Sequence, residues 1–129
     1  MADLSTYMED RIINFMRNVA ITGEAAVYVG LFTADGGLES GTLDNEVAGG
    51  SYARELAGLS AAADGVSANA GDISFTTATA EWGLITHAAL IDALTAGNVI
   101  MHSALAASKQ VDSGDTFKIL AGELDVTIT

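Results

Sequence analysis

Cysteine and proline are both absent from the 129 residues. Without cysteine there is no disulfide framework, no thiolate zinc site and no cysteine nucleophile. Without proline, the turns must rest on glycine, which occurs 14 times, and on Asn and Asp. Basic residues are scarce: 5 against 17 acidic ones, a formal net charge of −12. Nucleic-acid binding exchanges phosphate counterions for Lys and Arg, so a chain this acidic repels polyanions and anionic membranes alike. Aromatics are few, and Trp82 is the single tryptophan. No apolar run approaches the roughly 20 residues of a membrane-spanning helix. The start, "MADLSTYMED", lacks the basic n-region and apolar h-region of a signal peptide, so the expectation is a chain used without export.

Half of the residues are nonetheless apolar and the mean hydropathy is +0.35, which supports a hydrophobic core. The length fits one domain, 1–129. The acidic excess suits a solubilising surface, and it equally suits a role at high copy number, where like charges discourage wrong contacts.

Residues 3–19, "DLSTYMEDRIINFMRNV", predict an amphipathic helix. Leu4, Met8, Ile12, Phe15 and Val19 share one face at helical spacing. Asp3 can cap its start, Thr6 and Glu9 form a capping-box pattern, and Gly23 is a plausible stop. From residue 25 onward the pattern changes to period two, predicting an antiparallel β-sandwich or jelly-roll-like barrel. "AVYVGLF" is a strand with apolar residues on both faces, and "SYARELAG" one with Tyr52, Arg54 and Leu56 on one face. "ISF" is a short strand. "WGLITHAALID" and "VIMHSAL" pair as a hairpin across "ALTAGN", "AASKQVDSGD" is a connection, and "TFKILA" and "LDVTIT" are strands either side of a turn at "GE". The glycine- and acid-rich loop "TADGGLESGTLDNEVAGG" has little to bury and reads as a binding element or a mobile segment.

Candidates for chemistry are thin. His87 and His102 lie on neighbouring strands without a third metal ligand, and Asp92 sits at a strand end several residues away. A slip of one residue in register reverses which face each imidazole occupies, so their pairing is open. Alternation puts His102 on one face with Ile100 and Ala104. Asp35, Glu39, Asp44 and Glu46 could offer oxygen ligands to calcium, but the D-x-[DN]-x-[DN]-G spacing is missing and solvated loop charges are the stronger reading. Ser51 lacks the nucleophile-elbow pattern, and no phosphate-binding loop occurs. No cofactor is implied. Trp82 reads as a packing residue whose indole N–H finds a carbonyl, with interface anchor as the alternative. Arg54, in so acidic a chain, is expected to pair with a carboxylate, within the subunit or across to the next.

Three stretches together resemble a family of small virion proteins of tailed bacteriophages, labelled head-decoration or tail-fibre proteins. They are "VYVGLFTAD", "EVAGGSYARE", and "DISFTTATAEWGLITHAALIDALTAGNVIMHSAL" followed by "KQVDSGDTFKILAGELDVTIT". The resemblance implies a mostly β domain that assembles on a phage particle in the host cytoplasm, with no enzymatic activity. Its partners are then the major capsid protein or other virion proteins, and its own copies, as a homo-oligomer with a trimer expected. A capsid decoration (cement) protein fits first, because clamping the assembled shell stabilises it by mass action. A neck, tail or fibre-attachment component is the alternative, and a glycan-binding module a more distant one. The candidate interface comprises Phe15 on the helix, the Tyr52–Arg54 strand, the acidic residues Asp35, Glu39, Asp44 and Glu46, and Trp82.

Overall fold

The computed structural model describes residues 3–128 and gathers the strongest period-two segments at the centre of one open sheet. In chain order the elements are β1 (Asp3–Leu4), α1 (Thr6–Met16), β2 (Tyr28–Phe32), a 3-10 turn (Leu38–Ser40), β3 (Glu55–Leu56), β4 (Val66–Ala68), β5 (Ile73–Ser74), β6 (Gly83–Ile91), β7 (Val99–Val111), β8 (Lys118–Ile119) and β9 (Asp125–Thr127). The sheet is antiparallel with order β1-β7-β6-β2-β3. Two short ladders, β4 with β9 and β5 with β8, lie apart from it. The fold is mainly β with one helix near the N-terminus, as expected. It is not a closed barrel, because the edge strands β1 and β3 do not pair with each other.

β2 is apolar on both faces because both faces are covered. Val29 and Leu31 pack with Leu90 and Met101 and with Ile73, Phe75 and Phe117 from the region of the short ladders. Phe32 packs instead with Leu38, Ala89, Ile91 and Val99, beneath the 33–50 loop. Bulges decide which side chains join which cluster. The register steps from Leu90–Met101 to Ile91–Val99, which leaves Ile100 without a partner in the β6–β7 ladder. Ile100 therefore joins Met101 in the larger cluster, whereas His102 pairs with Ala89 on the opposite side. Strict alternation, which puts His102 and Ile100 on one face, fails at this bulge.

The helix is shorter than 3–19. Asp3 and Leu4 pair with His102 and Met101, so Asp3 is not the cap. Buried Ser5 takes that place: its Oγ accepts from the Met8 N–H at 3.3 Å and donates to the Val99 carbonyl. Asn18, at φ 66°, turns the chain out of the helix before Gly23 is reached. Among the described residues no helix is long and apolar enough to cross a membrane.

Two strand boundaries also differ. "AASKQV", expected as a connection, belongs to β7, because Lys109, Gln110 and Val111 pair with Ile85, Leu84 and Gly83. Alanine and lysine have little strand preference of their own, and pairing against β6 imposes it. Of "SYARELAG" only Glu55 and Leu56 pair, after a turn in which Gly49, Gly50 and Ser51 all have positive φ. The "GE" turn does not close a hairpin: it carries the chain from the β5–β8 ladder to the β4–β9 ladder. Thr129, the end of the expected last strand, lies outside the described residues.

Candidate interaction surfaces

The two most distinctive sequence segments, "EVAGGSYARE" and "WGLITHAALID", converge on one buried node. Arg54 lies behind the β6–β7 turn, where its guanidinium donates from Nε and Nη2 to Glu46 Oε2 and Oε1, both at 2.7 Å. Its Nη1 donates to the carbonyls of Ala93 and Ala96, again at 2.7 Å. Burial opposes the Arg54 charge, yet the bidentate bond to Glu46 outweighs it and holds the group more firmly protonated than usual. The Tyr52 hydroxyl donates to Glu46 Oε2 at 2.7 Å and accepts from the Leu31 N–H at 2.9 Å. Burial, with the adjacent Glu46, pushes the phenol far above its ordinary pKa of 10.0, against the opposing pull of the Leu31 N–H. Arg54 thus does pair with a carboxylate, and within its own subunit.

Trp82 closes the other side of this node. Its Nε1–H donates to the Gly50 carbonyl at 2.9 Å, and its ring meets Tyr52 edge-on at 5.4 Å between centroids. Gly50 has φ +58°, and a Cβ there would sit 2.9 Å from both the Ala80 carbonyl and Trp82 Nε1. Only glycine fits that backbone and that space. Trp82 is buried, so its indole is a packing group with a carbonyl partner.

The acid-rich loop is fastened down. Leu38 is fully buried in the smaller cluster, and Val47 is buried in the larger one. Asp35 Oδ1 accepts from the Leu38 and Gly37 N–H groups at 3.0 and 3.3 Å. The bond from Leu38 is the main reason that its carboxyl titrates below the ordinary 3.8, with the Gly37 bond and the two histidines adding to it and partial burial opposing. Glu39 Oε2 accepts from His102 Nε2 at 2.8 Å, Glu46 holds Arg54, and Asp44 is exposed. Three of the four loop carboxylates therefore serve different partners, and Asp44 faces solvent. Among the described residues, no three His, Asp or Glu side chains come together as a metal site.

The histidines share a sheet face but are not opposite each other. His87 pairs with Ala104, and His102 with Ala89. His87 Nδ1 bonds to Thr86 Oγ1 at 2.8 Å. Asp92 holds the hairpin turn, accepting from Asn98 N at 2.7 Å and Nδ2 at 3.0 Å.

Two open surfaces stand out among the described residues. One is a cleft of about 480 Å³ between β6–β7 and β9, lined by Ala88, Leu90, Leu105, Leu124 and Val126 with Glu123 and Asp125 also in its wall. The other is the outer end of α1, where Phe15 is 63% exposed and Met16 77%. Phe15 thus lies on the surface, whereas Arg54 and Trp82 are enclosed by their own chain. Ile13, also exposed, lies outside the stripe Leu4–Met8–Ile12–Phe15–Val19, on the other side of α1.

A family model described as Podophage GP4 fiber I protein gp80 matches residues 3–127, which takes in the helix, the buried node and every strand. No curated protein matches the chain.

Proposed function

Since the chain belongs to the family of the Podophage GP4 fiber I protein gp80, a family of phage virion structural proteins, we propose that it is a non-enzymatic component of the virion's fibre apparatus. The match across residues 3–127 carries this reading. The geometry agrees with it. The groups that chemistry would use (Glu46, Tyr52, Arg54, Asp35, His102) are engaged in holding the loop and the turn to the sheet. What the protein offers outward is a rigid β body, an acidic surface, an apolar cleft and an apolar helix end. Those are the means of a protein that works by fitting against other virion proteins and against its own copies.

The description of the family favours the fibre over the head, so fibre attachment takes precedence over the capsid decoration expected from the sequence. Quantitative mass spectrometry of purified virions, with heads and tails separated on a gradient, tests the assignment. A fibre component stays with the tail fraction at low copy number. Recovery with intact heads at a copy number comparable to the capsid protein overturns it in favour of decoration, and absence from both fractions overturns the virion role.

A further inference from the structure

Among the described residues β9 pairs with β4 alone, so one of its edges carries no strand. The Leu124 N–H donates to Asn69 Oδ1 at 2.9 Å and the Ile128 N–H to the Gly65 carbonyl at 3.0 Å, so both point to the β4 side. Successive residues of an antiparallel strand alternate in this respect, and Asp125 and Thr127 therefore turn their N–H and C=O groups the other way. That way lies the cleft of about 480 Å³. Its wall takes in the consecutive residues Glu123 to Thr127 and none of β4, so the strand borders it edge-on. The floor is the sheet face that carries the larger cluster, where Leu90 pairs with Met101 and Ala88 with Ser103. Small side chains at 88 and 103 leave the space above them open. At about 3.3 Å along a strand, about 4.8 Å between strands and about 10 Å between layers, an extended residue fills about 160 Å³. The cleft has room for about three.

We propose that this cleft receives an extended, basic segment of a partner protein, added to β9 as a further strand over the face of the sheet. Main-chain bonds to Asp125 and Thr127 hold such a strand, and its alternate side chains select it. β9 sets the alternation. Leu124 and Val126 pack against the core, whereas Glu123 and Asp125 are exposed. A strand alongside repeats that order, with apolar side chains toward the sheet and the others beside the two carboxylates. Lys or Arg at those outer positions meets an opposite charge across the strands, and a chain of −12 draws a basic segment in from a distance. A second copy does not supply one. Of the five basic residues, Arg11 and Arg17 belong to the helix and its cap, and Arg54 is buried. Lys109 is paired within β6–β7 and Lys118 within β5–β8. The proposal rests on the reading of the chain as an assembly component, but fails separately from it, because it is tested without virions.

The probe is a fluorescein-labelled synthetic peptide, Lys-Val-Lys-Val-Lys-Val-Lys with blocked ends, titrated with the full chain and followed by fluorescence anisotropy. Saturable binding of one peptide per chain is expected. The same peptide N-methylated at every residue keeps its charge but cannot make strand hydrogen bonds, and it should bind about tenfold more weakly or worse. Asp125→Lys, at an exposed position, should weaken binding by about five- to tenfold. Amide exchange read by NMR should slow at Asp125 and Thr127 when the peptide is bound. Three results overturn the proposal: no saturable binding, equal binding of the N-methylated peptide, or protection that arises away from β9. A peptide-free chain that protects the Asp125 and Thr127 amides as its own concentration rises overturns it too, by giving the cleft to a second copy.

Discussion

Arg54 and Glu46, eight residues apart in the chain, face each other through two parallel 2.7 Å hydrogen bonds in the protein interior. Between them the chain makes the Gly49–Ser51 turn, and the pair ties that turn to the β6–β7 hairpin through the carbonyls of Ala93 and Ala96. A buried pair of this kind is costly to break from one side, since the remaining charge is left without a partner. Arg54→Ala is expected to lower stability by about 3–5 kcal/mol. Combining Arg54→Met with Glu46→Gln should cost clearly less than the sum of the single changes. Urea denaturation of the four proteins checks this, and strict additivity would count against the pair acting as a unit.

Gly50 is a second point where one atom matters. Gly50→Ala forces a Cβ to within 2.9 Å of the Ala80 carbonyl and of Trp82 Nε1, at a φ of +58° that favours glycine. The expected loss is about 1–3 kcal/mol. Since Trp82 is the only tryptophan, its emission reports this site alone, and it should shift to the red as the indole loses its carbonyl. Unchanged emission and stability would contradict the packing described.

Tyr52 links the same node to alkaline pH. Its folded pKa lies above the ordinary 10.0, so the neutral phenol is favoured by folding. That contribution is complete below pH 10.0 and is lost as pH rises beyond it, because the unfolded chain releases the proton first. Absorbance at the tyrosinate band, followed together with circular dichroism, should show Tyr52 ionising only as the protein unfolds. In Tyr52→Phe that coincident step should be missing.

Asp35 acts at the other end of the scale. Its folded pKa is below the ordinary 3.8, so its stabilising effect is present above that value and is lost as pH falls through the lower one. The stability advantage of the wild type over Asp35→Asn, read from thermal melts, should shrink on acidification below about pH 4. A constant difference would show that the charge on Asp35 does nothing for the turn.

Ser5 anchors the helix through two bonds, accepting from Met8 N–H and donating to the Val99 carbonyl. Ser5→Ala removes the cap and leaves a buried carbonyl with one partner fewer, at an expected cost of about 1–2 kcal/mol. Hydrogen exchange should quicken first in α1 and β1, ahead of β6 and β7.

Much of the fold was legible because it is written in local patterns. The helix, the two-faced strand at Tyr28–Phe32 and the hairpin from Gly83 across residues 92–98 each follow from side-chain periodicity and turn residues next to one another in the chain. Composition also removed whole classes of chemistry: no thiol is available, and −12 of charge leaves little for a polyanion to bind. The partner of the Trp82 indole and the carboxylate on Arg54 were expected in kind, because a buried N–H and a buried guanidinium must find acceptors. Which acceptors they find is another matter. Gly50 is far in the chain from Trp82, as are the Ala93 and Ala96 carbonyls from Arg54, while Glu46 reaches Arg54 across a turn; only the closing of the 33–50 loop over the sheet selects them. The same holds for the bulge at Ile100 and for the extension of β7 through an alanine-rich stretch, where hydrogen bonds to β6 override weak local preference. Local chemistry determined which elements form and which bonds must be satisfied. Tertiary packing decided who satisfies them, and which end of the helix was left bare.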